Sequence, residues 1–202
     1  IDIVDPWVLP IYGAVNDAIK AKRVAPLPNE THELGLHIST RLGILPIVAL
    51  RINSEVKQIY KVVEDHNDVH VFAKNRSGYV FQMPKKYKDL VYCLLADIDS
   101  LLFELNSVCE LMINFFESLY SHVGIALKEG EAGLKIKRLV ESEGHDSRWF
   151  QALKSHRNFF THEGAPWFAI DISHGPQAYD LLIMKGNIKS FENSSKFIKL
   201  SE

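Results

Sequence analysis

Apolar positions along the chain recur mostly at helical spacing and switch to alternation in two places. Residues 10 to 23 read as a short amphipathic helix, with Ile11, Ala14, Val15, Ala18 and Ile19 on one side. The run Ala25-Pro26-Leu27-Pro28 ends it, and Asn29 to His32 can cap the next helix, expected over 31 to 65. Pro46 is expected to kink or divide that helix. Its second half carries a clear stripe of Val48, Ile52, Val56, Ile59 and Val63. Alternation over 69 to 82, around Asn75-Arg76-Ser77-Gly78, predicts a β-hairpin with a four-residue turn.

The dominant element is a helix expected over 87 to 127. Leu94, Ile98, Leu101, Leu105, Val108, Met112, Phe115, Leu119 and Val123 form its apolar stripe, beside a polar one that includes Glu104, Asn114 and Glu117. A helix of this length is a natural spine for a bundle. The break is placed at Glu129 to Gly133, followed by a short basic helix over 133 to 142. Asp146 or Ser147 then caps a helix over 148 to 163, with Gly164 placed to end it. Alternation returns in 167 to 172 and 179 to 184, giving a second hairpin able to pair with the first. The last 15 residues are polar and read as mobile, with Phe197-Ile198 able to dock. The expected fold is mainly α: a helical bundle with a long central helix and one or two small antiparallel β-hairpins.

Composition narrows the class rather than the function. The 202 residues suffice for one sizeable core. A net charge of −2 argues against broad coating of nucleic acid, though not against a local site. Cys93 and Cys109 fall on one expected helix, about 24 Å apart at 1.5 Å per residue, too far for a disulfide. They are expected to be buried, small and apolar, in a reducing compartment, and the chain is read as cytoplasmic. No stretch of 18 apolar residues is free of charge, so no membrane span and no membrane partner is expected. The first residues, Ile1 to Asp5, lack the basic start of a signal peptide; whether the N-terminus is truncated or processed stays open.

The densest chemistry is Ser155-His156-Arg157-Asn158-Phe159-Phe160-Thr161-His162-Glu163-Gly164. Arg offers a permanent charge and a planar fork of donors for phosphate. His moves protons near neutral pH, and Asn can position a hydroxyl or donate to an oxyanion. On a helix Asn158 and His162 share a face, and Arg157 lies about 140° from His162 with a side chain long enough to curl toward the same edge. The competing reading is a helix C-terminus whose cations complement the macrodipole, with Arg157 paired to a carboxylate.

The Arg-Asn-x3-His spacing resembles the motif of the HEPN superfamily (higher eukaryotes and prokaryotes nucleotide-binding domains). The resemblance covers mainly residues 88 to 164. It implies a single domain whose helical core spans about 41 to 65 and 87 to 164, with hairpins at about 69 to 82 and 167 to 184. It also implies a homodimer in which two motif helices meet. The activity implied is metal-independent RNA cleavage by attack of the 2′-hydroxyl on the adjacent phosphate. His162 would transfer protons, Arg157 would hold the phosphate, and Asn158 would position it. His156 is a supporting candidate, although a half-buried, hydrogen-bonded histidine is favoured there. Glu110, Asn114 and Glu117 are candidates for a polar partner on the preceding long helix, with Glu117 and Asn114 ahead, weighed against a solvated face. The alternative is a non-catalytic module of a prokaryotic defence, toxin–antitoxin or stress system, binding a nucleotide, an RNA, an antitoxin or another protein.

No cofactor and no metal site is expected. His66 and His70 straddle a helix end, and no glycine-rich phosphate loop or nucleophile elbow is present. Lys135, Lys137, Arg138, Arg148 and Lys154 could line an RNA approach or form an ion-paired surface. The aromatics near the motif are read as packing rather than base-stacking groups.

Overall fold

The computed structural model describes residues 8–66, 71–75, 78–81, 83–162, 167–174, 178–186 and 193–201; over 71–75 and 78–81 only the backbone is described. The described elements are α1 (Leu9–Lys20), α2 (Asn29–Asp65), β1 (Val71–Asn75), β2 (Gly78–Phe81), α3 (Lys88–His122), α4 (Glu131–Ser142), α5 (Trp149–His162), β3 (Trp167–Asp171), β4 (Asp180–Met184) and β5 (Phe197–Lys199). The protein is mainly helical with one antiparallel sheet. Its residues fall into two compact units, the first of 1–47 and 102–155, the second of 48–101 and 156–202.

In the first unit, Val8, Ile38, Val108 and Phe115 form a core that α1 completes with Ile11 and Tyr12 and α3 with Met112, Phe116 and Leu119. Thr31 is wholly buried, and its hydroxyl lies 2.6 Å from that of Ser118. Ten residues further along α2, the Arg41 guanidinium donates to Glu104 on α3 at 2.6 Å. Partner numbers rise along α2 as they fall along α3, so the two helices run antiparallel here. Gly35 is required for packing: a Cβ there would collide with the Tyr12 ring and hydroxyl.

In the second unit the five strands lie in chain order, β1 to β5, all antiparallel. The two hairpins join through β2 and β3, where Phe81 faces Ile170. Leu181 to Met184 are all buried, so both faces of β4 are covered. Arg51 holds Asp97 through two hydrogen bonds of 2.9 and 2.7 Å, and the Tyr60 hydroxyl donates to the Tyr179 carbonyl at 2.9 Å. The expected stripe on α2 holds, with Val48, Ile59 and Val63 buried.

Several expectations need correction. Of the two outcomes expected at Pro46, division does not occur: α2 runs through it as one helix. α3 stops at His122 rather than 127, because Gly124 takes φ +78° and its amide returns to the Ser121 carbonyl at 3.0 Å, an ending suited to glycine. Asn75 pairs with Gly78, the first and last residues of the expected four-residue turn, and Arg76 and Ser77 between them lie outside the described residues. The C-terminal stretch supplies β5 on the edge of β4, with Phe197 packed against Ala169, Leu182 and Met184. Cys93 is exposed and Cys109 half-buried, both as free thiols, so neither is the fully buried residue expected. α2 is also long and apolar enough to cross a membrane by length and composition, a test that core helices of globular proteins pass too. Gly164, expected to end α5, lies outside the described residues.

Candidate functional site

The motif occupies the last two turns of α5. The loop before it is fixed by polar contacts: Asp146 accepts from the Arg148 amide at 2.9 Å, and the Ser147 hydroxyl donates to Glu141 at 2.5 Å. Along α5, Leu153 and Phe159 are buried, while His156, Arg157 and Phe160 are half-buried; Ser155, Asn158, Thr161 and His162 are exposed. The helix therefore sorts the motif. Asn158 and His162 point outward together, one turn apart. Arg157 sits at the boundary of the inward stripe, from which its long side chain can reach the same edge.

Among the described residues Arg157 has no ion pair and no hydrogen bond. The other arginines of the α2–α3 pair, Arg41 and Arg51, each hold a carboxylate. Arg157 is thus a half-buried residue without a described partner, and the carboxylate pairing of the competing reading is not found among the described residues, outside which Glu163 lies. His162 is the terminal residue of α5, exposed and likewise without a hydrogen bond among the described residues.

His156 is half-buried as expected, but no hydrogen bond is described for it. Burial, and then the positive charge of Lys185 just after β4, hold its imidazole below the ordinary histidine value. Lys185 is exposed and has no ion pair among the described residues. Alternation of the hairpin gave no hint that the charge of this lysine would reach His156. Asn114 and Glu117, of the first unit, are both exposed on α3. The hydrogen bond that forms on that surface is a different one, from Asn106 to Glu110 at 2.7 Å.

Three of the five basic residues considered as an RNA approach are ion-paired locally: Lys135 with Glu131, Lys137 with Glu141, Arg148 with Asp146. The aromatics divide. Phe159 is buried against an edge-on Phe160 with 5.5 Å between ring centres, whereas Trp149 and Trp167 are exposed. No group of three or more histidine, cysteine, aspartate or glutamate side chains placed to hold a metal occurs among the described residues. His66 is bound to its own helix, its Nδ1 2.7 Å from the Val62 carbonyl, and His70 lies outside the described residues.

The charged residues that spacing did not single out are Arg41, Arg51, Glu55, Asp97 and Glu104. The Glu104 side chain is 10 % exposed, with one oxygen on Arg41 and the other buried without a hydrogen bond. Glu55 keeps one buried oxygen without a hydrogen bond; burial, then the charge of Asp97, raise its carboxyl above the ordinary value, against a lowering by Arg51.

Comparison of the chain with protein-family models, with curated proteins and with solved structures finds no match.

Proposed function

We propose that this chain is a metal-independent endoribonuclease of the HEPN type, with a site completed across a homodimer. The observation that carries the reading is Arg157: half-buried, without a carboxylate partner among the described residues, and one position before an outward-facing Asn158–His162 pair. A guanidinium that holds no described carboxylate keeps its planar fork of donors for a phosphate, which it can engage through two hydrogen bonds. In the proposed step the 2′-oxygen forms a bond to phosphorus and the bond from phosphorus to the 5′-oxygen breaks. His162 takes the 2′-hydroxyl proton, and the His162 imidazolium of a second copy gives one to the departing oxygen. Arg157 and Asn158 hold the charge developing on the phosphate. The products are a 2′,3′-cyclic phosphate and a 5′-hydroxyl, and DNA, lacking the 2′-hydroxyl, is not cut.

One observation favours the second reading, a non-catalytic module that binds an RNA, a nucleotide or a protein. His162 has no described neighbour that fixes its ring, whereas proton-transferring histidines are commonly oriented by a hydrogen bond. The test incubates purified protein with single-stranded and structured RNA in excess EDTA, beside a 2′-deoxy control. Cleavage of the RNA alone is expected, reduced about 10²-fold or more by Arg157→Ala or His162→Ala. Equal cutting of the deoxy control refutes the mechanism. Binding of RNA that depends on Arg157, without any cutting, assigns the module. We place the chain in the cytoplasm of a prokaryotic defence or stress system, a setting that the two free thiols fit.

A further inference from the structure

The sheet sets like charges opposite one another at both of its ends, and it treats the two ends differently. At one end Asp171 of β3 faces Asp180 of β4. Both carboxylates are provided for. Asp171 accepts from the Ser173 amide at 2.9 Å and from the Ser173 hydroxyl at 2.6 Å. Asp180 accepts from the Ser201 hydroxyl at 3.0 Å and lies 3.7 Å from the Lys199 ammonium.

At the other end the register of β4 and β5 sets Lys185 opposite Lys196, one step past Met184 and Phe197. The Lys185 amide donates to the Lys196 carbonyl at 2.9 Å, which continues the ladder. Residues opposite one another on antiparallel strands hold their Cβ atoms about 5 Å apart, and like charges there are unfavourable. Long side chains splay and relieve part of that repulsion. Yet both lysines are exposed and without an ion pair among the described residues, outside which Glu163 and Glu192 lie. Asp180 is five residues from Lys185 along an extended strand, about 17 Å away, beyond direct contact. The turn that carries Lys196 is fixed. Asn193 Oδ1 accepts from the Ser195 amide at 3.0 Å and from the Ser195 hydroxyl at 2.7 Å, and the Lys196 amide returns to the Asn193 carbonyl at 3.1 Å.

The lysine end of the sheet adjoins the motif helix. The charge of Lys185 reaches His156, the residue before Arg157, and Lys185, Lys196, His156 and Arg157 all belong to the second unit. Two ammonium groups set opposite each other without a described counter-charge suit a ligand whose oxygens accept from both at once, as those of a phosphate do. A nucleic acid strand held by Arg157 brings further phosphates along its backbone, so one strand can occupy both places. We propose that Lys185 and Lys196 form a phosphate subsite adjoining the α5 site, holding a neighbouring phosphate of a bound RNA strand. It deepens the reading above and rests on RNA being the ligand there, not on its being cut. The lysines bind and position the strand; neither touches the reacting phosphate.

The test measures binding of a short single-stranded RNA with 2′-O-methyl riboses, which the proposed step cannot cut. Fluorescence anisotropy follows it with the full chain over a range of salt. Lys185→Met and Lys196→Met are each expected to weaken binding. The double variant should make the slope of log affinity against log salt shallower by about 0.7, the share of one phosphate on a single strand. Lys185→Arg is expected to retain binding. Lys185→Glu separates a binding role from a structural one. It should weaken binding further than Lys185→Met yet leave the melting temperature unchanged or higher, because it turns a like pair into an opposite one. Lysine variants that bind as the native chain does, or a melting temperature lowered by Lys185→Glu, would each overturn the subsite. So would a native chain that binds no RNA even at low salt. Adenosine monophosphate losing as much affinity as the oligonucleotide in the double variant would assign a single nucleotide and overturn the RNA assignment. Cutting of unmodified RNA is measured separately. Cleavage by lysine variants that bind normally sinks the subsite alone, and lysine-dependent binding without any cleavage sinks the nuclease reading alone.

Discussion

Replacing Arg41 by Met should destabilise the protein more than replacing its partner Glu104 by Gln, although both changes remove the same ion pair. The asymmetry follows from burial. The Glu104 side chain is 10 % exposed and that of Arg41 34 %, and one Glu104 oxygen has no hydrogen bond apart from the pair. Without Arg41 a buried carboxylate loses its compensating charge, a loss of about 3–5 kcal/mol when both partners are fully buried. Partial exposure of Arg41 admits water, so about 2 kcal/mol is expected for Arg41→Met. Methionine keeps an unbranched stem over the Phe103 ring, which separates the electrostatic loss from the packing loss. Glu104→Gln leaves Arg41 able to reach solvent and should cost about 1 kcal/mol. The double variant Arg41→Met/Glu104→Leu should lie within about 1 kcal/mol of the native chain, because an apolar pair of similar volume avoids the desolvation of two charges. Urea unfolding followed by circular dichroism and by tryptophan fluorescence measures all four proteins. Coincident transitions justify the free energies. A cost for Arg41→Met at or below that for Glu104→Gln would show that the carboxylate does not depend on the arginine, and the reasoning from burial would be wrong.

Two further predictions concern pH. Glu55 has its carboxyl raised above the ordinary value, first by burial and then by Asp97, so the folded state holds its proton more tightly than the unfolded chain. Its contribution is favourable while it is protonated and is lost as pH rises from the unfolded value through the folded one. Glu55→Gln is expected to flatten that part of a melting-temperature profile and to raise stability at neutral pH; a profile parallel to the native one sinks the assignment. His156 is shifted the other way, down, by burial and then by Lys185, so its contribution is lost as pH falls below the ordinary histidine value. Lys185→Met should move the His156 titration upward in NMR, whereas an unmoved titration means that the lysine charge does not reach the ring.

The helices were legible because their apolar residues repeat at the period the core demands. The stripe from Val48 to Val63 and the motif helix both fall where the spacing put them. What spacing could not show was which polar residues would be taken inside. Glu104 reads as one more member of a polar stripe, and only the α3 packing against α2 turns it into a buried partner of Arg41. The end of α3 was misplaced for a related reason. Gly130 and Gly133 stood in a cluster that looked like a break, whereas the single Gly124, six residues earlier, takes the positive φ that stops the helix. β5 was hidden because three residues give too short an alternation; the Phe197 side chain, docked on Ala169, Leu182 and Met184, makes it a strand.

The motif itself was legible as chemistry but not as a site. Residue types and order at 156 to 162 are in the sequence, yet order alone cannot separate a phosphate clamp from a capped helix end. Burial helps because it sets what each side chain must do. An exposed arginine at a helix C-terminus needs no partner, since water screens it and the macrodipole supplies a modest attraction. A half-buried one has lost part of its hydration and normally regains it from a carboxylate, as Arg41 does. Arg157 is half-buried and has no such partner among the described residues, with His156, whose imidazole is held below the ordinary histidine value, beside it and an exposed Asn158–His162 face next to it. That combination leaves the guanidinium able to take an anion, so the measurement that bears on it most directly is binding. Arg157→Ala should weaken RNA or nucleotide binding while leaving the melting temperature unchanged or higher. A variant that binds as well as the native chain and melts lower would make Arg157 a structural residue and remove the ground for the nuclease reading.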